Sequence, residues 1–249
     1  MKVIQSIEAI YEEQKEINSV LKKRVDDLLI SLKRDNWHYF SRLKQLESFA
    51  LKLETGRFVN SKALEDFFAC TIVVDNLEQI NKAKALVRSK FNIVDQKPRN
   101  PKFTHKEPSS FQFDDLRLYC TLKQPENMPE EPIAKIPFEI QIKTFIQHAW
   151  TLATHDLIYK SDEINWSKER IAFQIKAVLE QAEVTISGVN NLINLPEVSK
   201  DNKDTSEYKK ILKFYRDLFT KDDLPLDLVR LCKNTKELLL NLEIKLFEA

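Results

Sequence analysis

The sequence predicts a mixed α/β protein: a small central sheet with long helices before and after it. Apolar residues recur at helical spacing over 2–34 and again from Trp166 to the end. Between them the pattern shortens to strand-like runs, FFACTIVV at 67–74, LRLYCTL at 116–122 and EIQIKT at 139–144. Proline-bearing stretches at 96–110 and 124–135 separate these runs and show no periodicity of their own.

Ile4, Ile7, Ile10, Ile17, Val20, Leu21, Val25, Leu28, Leu29 and Leu32 place residues 2–34 on one long amphipathic helix. A second helix is expected over 38–54, burying Leu43, Leu46, Ala50 and Leu53, with Gly56 placed to end it. Residues 67–74 are aromatic and β-branched and too few for a helix, so they read as a buried strand. Asn76 can cap a helix over 77–91, and a short strand is expected at 92–95. Strands follow at 111–123 and 136–143, with the proline stretches as loops. In the last strand Glu139, Gln141 and Lys143 share one face, and Ile140, Ile142 and Thr144 the other. If the next segment is one continuous helix, His148, His155 and Tyr159 share a stripe at i, i+7 and i+11. Ile171, Ile175, Val178, Leu179, Ala182, Ile186, Val189 and Ile193 define a long helix, and two more are expected near 206–219 and 227–247.

Composition narrows the function. Lysine and arginine number 39 against 38 acids, so no global field draws the chain to nucleic acid or membrane, and any basic site must be local. No apolar run approaches the roughly 20 residues of a membrane helix, so no membrane partner and a cytoplasmic location are expected. The three cysteines are odd in number and lack CxxC spacing, which argues against disulfides and zinc. Only Gly56 and Gly188 are glycines, so a Walker loop and GxGxxG are both excluded. If phosphates are bound, side chains or helix N-termini must bind them.

Several groups suit such a task. On a helix Lys44, Ser48 and Lys52 form a stripe at i, i+4 and i+8, two point charges and a hydroxyl for a polyphosphate, although a solvated face has the same pattern. Glu65 and Asp66 enter a buried strand, where a carboxylate suits Mg2+ or simply marks a junction. Glu139 lies on the working face of its strand or on the surface; as a pocket carboxylate it could hold a metal or act as general base. Lys97, Arg99, Lys102, His105 and Lys106 give the first proline loop a basic character, whether as a phosphate-catching arm or a solvated loop. His155-Asp156 has the HD form of metal-dependent phosphohydrolases, but the further upstream ligands those enzymes need are missing.

In order, R-x-K-x-x-x-S-x-x-x-K (Arg42, Lys44, Ser48, Lys52), Asp66 at a strand start, E-I-Q-I-K-T (139–144) and H-A-W…H-D-x-x-Y-K (148–160) resemble the RelA/SpoT-type synthetase domain, over residues 37–160. The tryptophan and the Tyr159-Lys160 ending are similar to its small, synthetase-only members. The resemblance implies a nucleotidyltransferase-like sheet in a synthetase domain over 1–165, with 166–249 as a helical extension that packs on it or forms a homo-oligomer. It implies transfer of pyrophosphate from ATP, with Mg2+, to the 3′-hydroxyl of GDP or GTP, making ppGpp or pppGpp.

By position it puts Arg42 near adenine, and Lys44, Ser48 and Lys52 near the ATP phosphates. Asp66 becomes a magnesium ligand, and Glu139 a metal ligand or general base. Lys143 stands where the family has arginine, and His148 and His155 match histidines of the closing helix. Two segments depart. The family's D-L-x-G-x-R-I strand reads DFFACTI, with Ala69 for glycine and Thr71 for arginine. Its N-G-Y-x-S-x-H segment aligns with SSFQFDDLR, placing Phe113 where tyrosine stacks on guanine and Arg117 at the histidine, where it can still hold phosphate. The donor half is therefore kept and the acceptor half rewritten. Family members that pyrophosphorylate the 3′ end of tRNA supply an alternative, and a degenerate nucleotide-binding module a second one.

Overall fold

The computed structural model describes residues 3–54, 64–100, 116–124, 129, 131–154, 165–242 and 244. They form two compact units, Met1–Gly188 and Val189–Ala249. In the first, five strands form one mixed sheet in the order β1-β2-β5-β4-β3: His38–Leu43 (β1), Phe68–Val74 (β2), Phe91–Lys97 (β3), Leu116–Leu122 (β4) and Phe138–Thr144 (β5). β2 and β5 run parallel at the centre, and every other pairing is antiparallel.

One face of the sheet is covered. Helix α1 (Gln5–Leu32) presents Leu21, Val25 and Leu29, and α3 (Leu77–Lys90) presents Ala83 and Val87, to Phe68, Cys70, Ile72, Leu118, Ile140 and Ile142. Each large side chain fully buried here contributes about 1.5–3 kcal/mol. Asn76 caps α3 as expected, its side chain accepting from the Glu78 amide. The alternation of β5 is realised: Ile140 and Ile142 are fully buried in this core, which leaves Glu139, Gln141 and Lys143 on the opposite face.

The expected helix over 38–54 is corrected. Its first half is the edge strand β1, and only Leu46–Glu54 is helical (α2). Residues 38–43 alternate: Tyr39 and Ser41 donate to Asp26 of α1 at 2.6 and 3.1 Å and Leu43 packs on the core, while His38, Phe40 and Arg42 take the other face. Pairing the free edge of β2 satisfies backbone groups that a helix would leave exposed there. α2 closes a second apolar cluster, Tyr11, Phe49, Leu64 and Phe67.

β5 continues into α4 (Phe145–Thr154), and α5 spans Trp166–Leu192. The helix is formed as expected, and Ile171, Ile175, Val178 and Ile186 of its apolar stripe are exposed; the buried positions are Ala172, Lys176 and Glu183. The reason is local. Trp150 of α4 donates to the Ala172 carbonyl at 3.3 Å and lies under the Lys176 ammonium, 4.1 Å from its ring centre. Glu183 accepts from Thr144 and Gln147. In the second unit, α6 (Lys203–Leu218) and α7 (Leu228–Asn241) pack around Ile211 and Cys232, tied by Lys236 to Asp204 and Glu207 at 2.6 Å each.

Candidate functional site

Strand register arranges the second sheet face into rows. Arg42 pairs with Ala69, Ala69 with Glu139, and Glu139 with Tyr119. One row along, Phe40, Thr71, Gln141, Arg117 and Lys97 are successive partners. His38, Val73 and Lys143 make a third row. Arg42 and Glu139 thus stand two strands, roughly 10 Å, apart, with only the Ala69 methyl between them. Glu139 is 5% exposed and accepts a short hydrogen bond from the Gln141 amide, which fixes the carboxylate on the working face rather than on the outer surface.

At the near end of this face lies a cation–carboxylate–cation group. Lys44 Nζ is 2.8 Å from Asp66 Oδ2, and Lys52 Nζ is 2.7 Å from Asp66 Oδ1. Burial alone would raise the Asp66 pKa; hydrogen bonds and charge from the two lysines outweigh it and hold the carboxyl below its usual range. The sequence stripe is partly corrected here. Lys44 sits in the turn between β1 and α2, whereas Ser48, exposed, and Lys52 lie on α2. Lys44 is nevertheless fixed: its amide donates to the Phe67 carbonyl at 2.8 Å, and its carbonyl accepts from the Tyr11 hydroxyl at 2.9 Å. Tyr11→Phe removes that second anchor and should lower stability by about 1 kcal/mol, read as a shift in the urea midpoint. An unshifted midpoint would show that the hydroxyl does not hold the turn.

At the far end Lys143, 5% exposed, donates to Thr151 at 3.4 Å. His148 stacks on Phe40 with centroids 5.0 Å apart. Burial, then Lys143, then His38 push the His148 pKa down, which favours a neutral ring at neutral pH. Arg117 is exposed beside Gln141. Lys97, expected in a loop, ends β3; a register shift between Ile93 and Asp95 turns it to this face, with its ammonium 4.9 Å from the Tyr119 ring centre. Phe113 and His155, with His155-Asp156 and Tyr159-Lys160, lie outside the described residues.

The structure therefore gathers Arg42, Lys44, Lys52, Asp66 and Glu139 toward one end of the face, and Lys143, His148 and Arg117 further along it. Tyr11 and Tyr119 were missed as site residues, whereas the phase of EIQIK already placed Gln141 with Glu139; the phase of LRLYCTL, which puts Tyr119 with Arg117, is the signal that could have found Tyr119. Among the described residues, no three His, Cys, Asp or Glu side chains cluster as a metal cage. The hard-oxygen donors at hand are Asp66 and Glu139, a set that fits Mg2+, which keeps waters and takes phosphate oxygens.

Residues 41–164 match the family described as "Region found in RelA / SpoT proteins". No curated sequence matches the chain. The fold, a five-stranded mixed sheet flanked by helices, is that of small alarmone synthetases. It is similar to small alarmone synthetase 1 from Bacillus subtilis (15% identity, TM-score 0.54, covering 76% of this chain and 98% of that one). It is also similar to small alarmone synthetase 2 from Bacillus subtilis (17% identity, TM-score 0.52, 73% and 96%). A further match, at 17% identity and TM-score 0.50 (77% and 94%), is small alarmone synthetase 1 from that organism bound to its product pppGpp. Over residues 41–164 the chain belongs to the RelA/SpoT family.

Proposed function

We propose that the chain is an ATP-dependent pyrophosphokinase that transfers the β,γ-pyrophosphate of ATP to the 3′-hydroxyl of GDP or GTP. The observation that carries the reading is the Lys44–Asp66–Lys52 group beside the Arg42–Ala69–Glu139 row. Arg42, Lys44, Ser48 and Lys52 bind the donor, their charges matched to a polyphosphate in a chain with no glycine loop to do so. The acceptor occupies the Lys143, His148 and Arg117 end, with its 3′-hydroxyl turned to Glu139. The 3′-oxygen attacks the β-phosphorus of ATP, the bond from the β-phosphorus to the bridging oxygen of AMP breaks, and AMP leaves. Glu139, held by Gln141, receives the hydroxyl proton. Bound Mg2+, held through Asp66 and Glu139, supplies charge neutralisation on the phosphates. The family's product-bound relative supports a guanine nucleotide as acceptor.

The test incubates the purified chain with γ-32P-ATP and GDP, GTP or deacylated tRNA. Label on the guanine nucleotide, lost in Asp66→Ala with the circular dichroism spectrum retained, is the expected result. Label on tRNA alone would replace the acceptor. Full activity in Asp66→Ala would refute the metal role.

A further inference from the structure

We infer that Asp66 serves as an internal stand-in for the polyphosphate, so that metal and nucleotide can enter this site only together; the inference rests on the pyrophosphokinase reading above. The two ammonium groups proposed to hold phosphate are already paired, each with one carboxylate oxygen of Asp66, at 2.8 and 2.7 Å. The group is partly sheltered, with side-chain exposures of 15% for Lys44, 29% for Lys52 and 24% for Asp66, so these pairs are less screened than surface ones.

The geometry sets up an exchange of partners. A divalent cation arriving alone must take Asp66 from two lysines and bring its own positive charge beside theirs. A metal-free polyphosphate must draw the lysines away and leave a carboxylate beside its own negative charge. When both arrive, the lysines would move onto phosphate oxygens and Asp66 would be released to hold the metal, so that neither lysines nor carboxylate would lose their opposite charge. Metal and nucleotide are then positively coupled, and the coupling is reciprocal. Lys44 is well placed for the role, because its backbone is pinned by Phe67 and Tyr11 while its side chain can turn from carboxylate to ligand.

The test uses calorimetry on the full chain with AMPCPP, an ATP analogue that resists α–β cleavage. For the wild type, binding should be strong with Mg2+ and weak in EDTA. Asp66→Asn removes the carboxylate charge from both lysines without changing shape, and should bind metal-free AMPCPP roughly tenfold more tightly than the wild type. A carboxylate that served only as fold support would not produce this gain. In the companion variant, Lys52→Gln, one lysine is removed, so Mn2+ alone, followed by loss of its free paramagnetic resonance signal, should bind roughly tenfold more tightly than to wild type. Absence of either gain overturns the exchange. If the wild type retains AMPCPP with Mg2+ yet Asp66→Asn gains nothing in EDTA, the exchange alone falls. If the wild type does not retain AMPCPP even with Mg2+, the pyrophosphokinase reading falls and takes the exchange with it.

Discussion

Glu139→Gln is expected to lower pyrophosphate transfer by about 10²–10⁴-fold, the usual worth of a positioned general base, and to leave the fold at least as stable. Both halves follow from one location. Glu139 is on the central strand β5, 5% exposed, in a row with Arg42 and Tyr119 and beside Gln141. Glutamine keeps the shape and sheds a buried charge, whose desolvation weighs against the folded state. A site that keeps an ionisable group in such a place gives up stability for function. Single-turnover transfer from labelled ATP, alongside urea unfolding, checks the pair. Transfer within tenfold of wild type would remove Glu139 from proton transfer, and a lower unfolding midpoint would mark it as structural.

Where the sequence was legible, the reason was an unambiguous period. EIQIK alternates cleanly, and the structure buries Ile140 and Ile142 while turning Glu139, Gln141 and Lys143 to the other face. Asn76 before an apolar-periodic segment predicted a capped helix, and it caps one. The edge strand β1 was illegible for a physical reason. Only Lys44 and Gln45 separate it from α2, neither is a turn residue, and Leu43, Leu46, Ala50 and Leu53 sustain a helical repeat across the junction. What makes 38–43 a strand is distant in sequence: the free edge of β2 and the Asp26 carboxylate on α1. The same correction moved Lys44 off the helix, yet it brought Lys44 and Lys52 onto one carboxylate, Asp66. For α5 the helix itself was legible and its docking face was not. Its apolar stripe was evident, but the face that docks on α4 is chosen by partners for polar groups: a tryptophan for Lys176, and a hydroxyl and an amide for Glu183.

Glu183→Ala should therefore destabilise the first unit more than loss of any exposed apolar residue of α5, by roughly 2–3 kcal/mol. Glu183 is 4% exposed and accepts from the Thr144 hydroxyl and, at 3.3 Å, from the Gln147 amide. Gln147 also accepts from the Thr144 backbone amide and donates its own to the Thr144 hydroxyl, each at 3.1 Å. Alanine would leave buried donors unpaired at the turn from β5 into α4, the turn that sets Lys143 and His148. Burial raises the Glu183 pKa, against the opposing pull of the Thr144 and Gln147 hydrogen bonds. The folded chain consequently binds this proton more tightly than the unfolded one. The stability linked to it is fully present below the unfolded carboxyl value of 4.5 and is lost as pH rises through the higher folded value. Asp66, with its lowered pKa, titrates in the opposite direction, and comparison with Glu183→Gln cancels it. Urea unfolding of wild type and Glu183→Gln should show the wild type gaining relative stability as pH falls from 7 toward 4.5; parallel curves would mean that Glu183 is not the buried acid linking α5 to the end of β5.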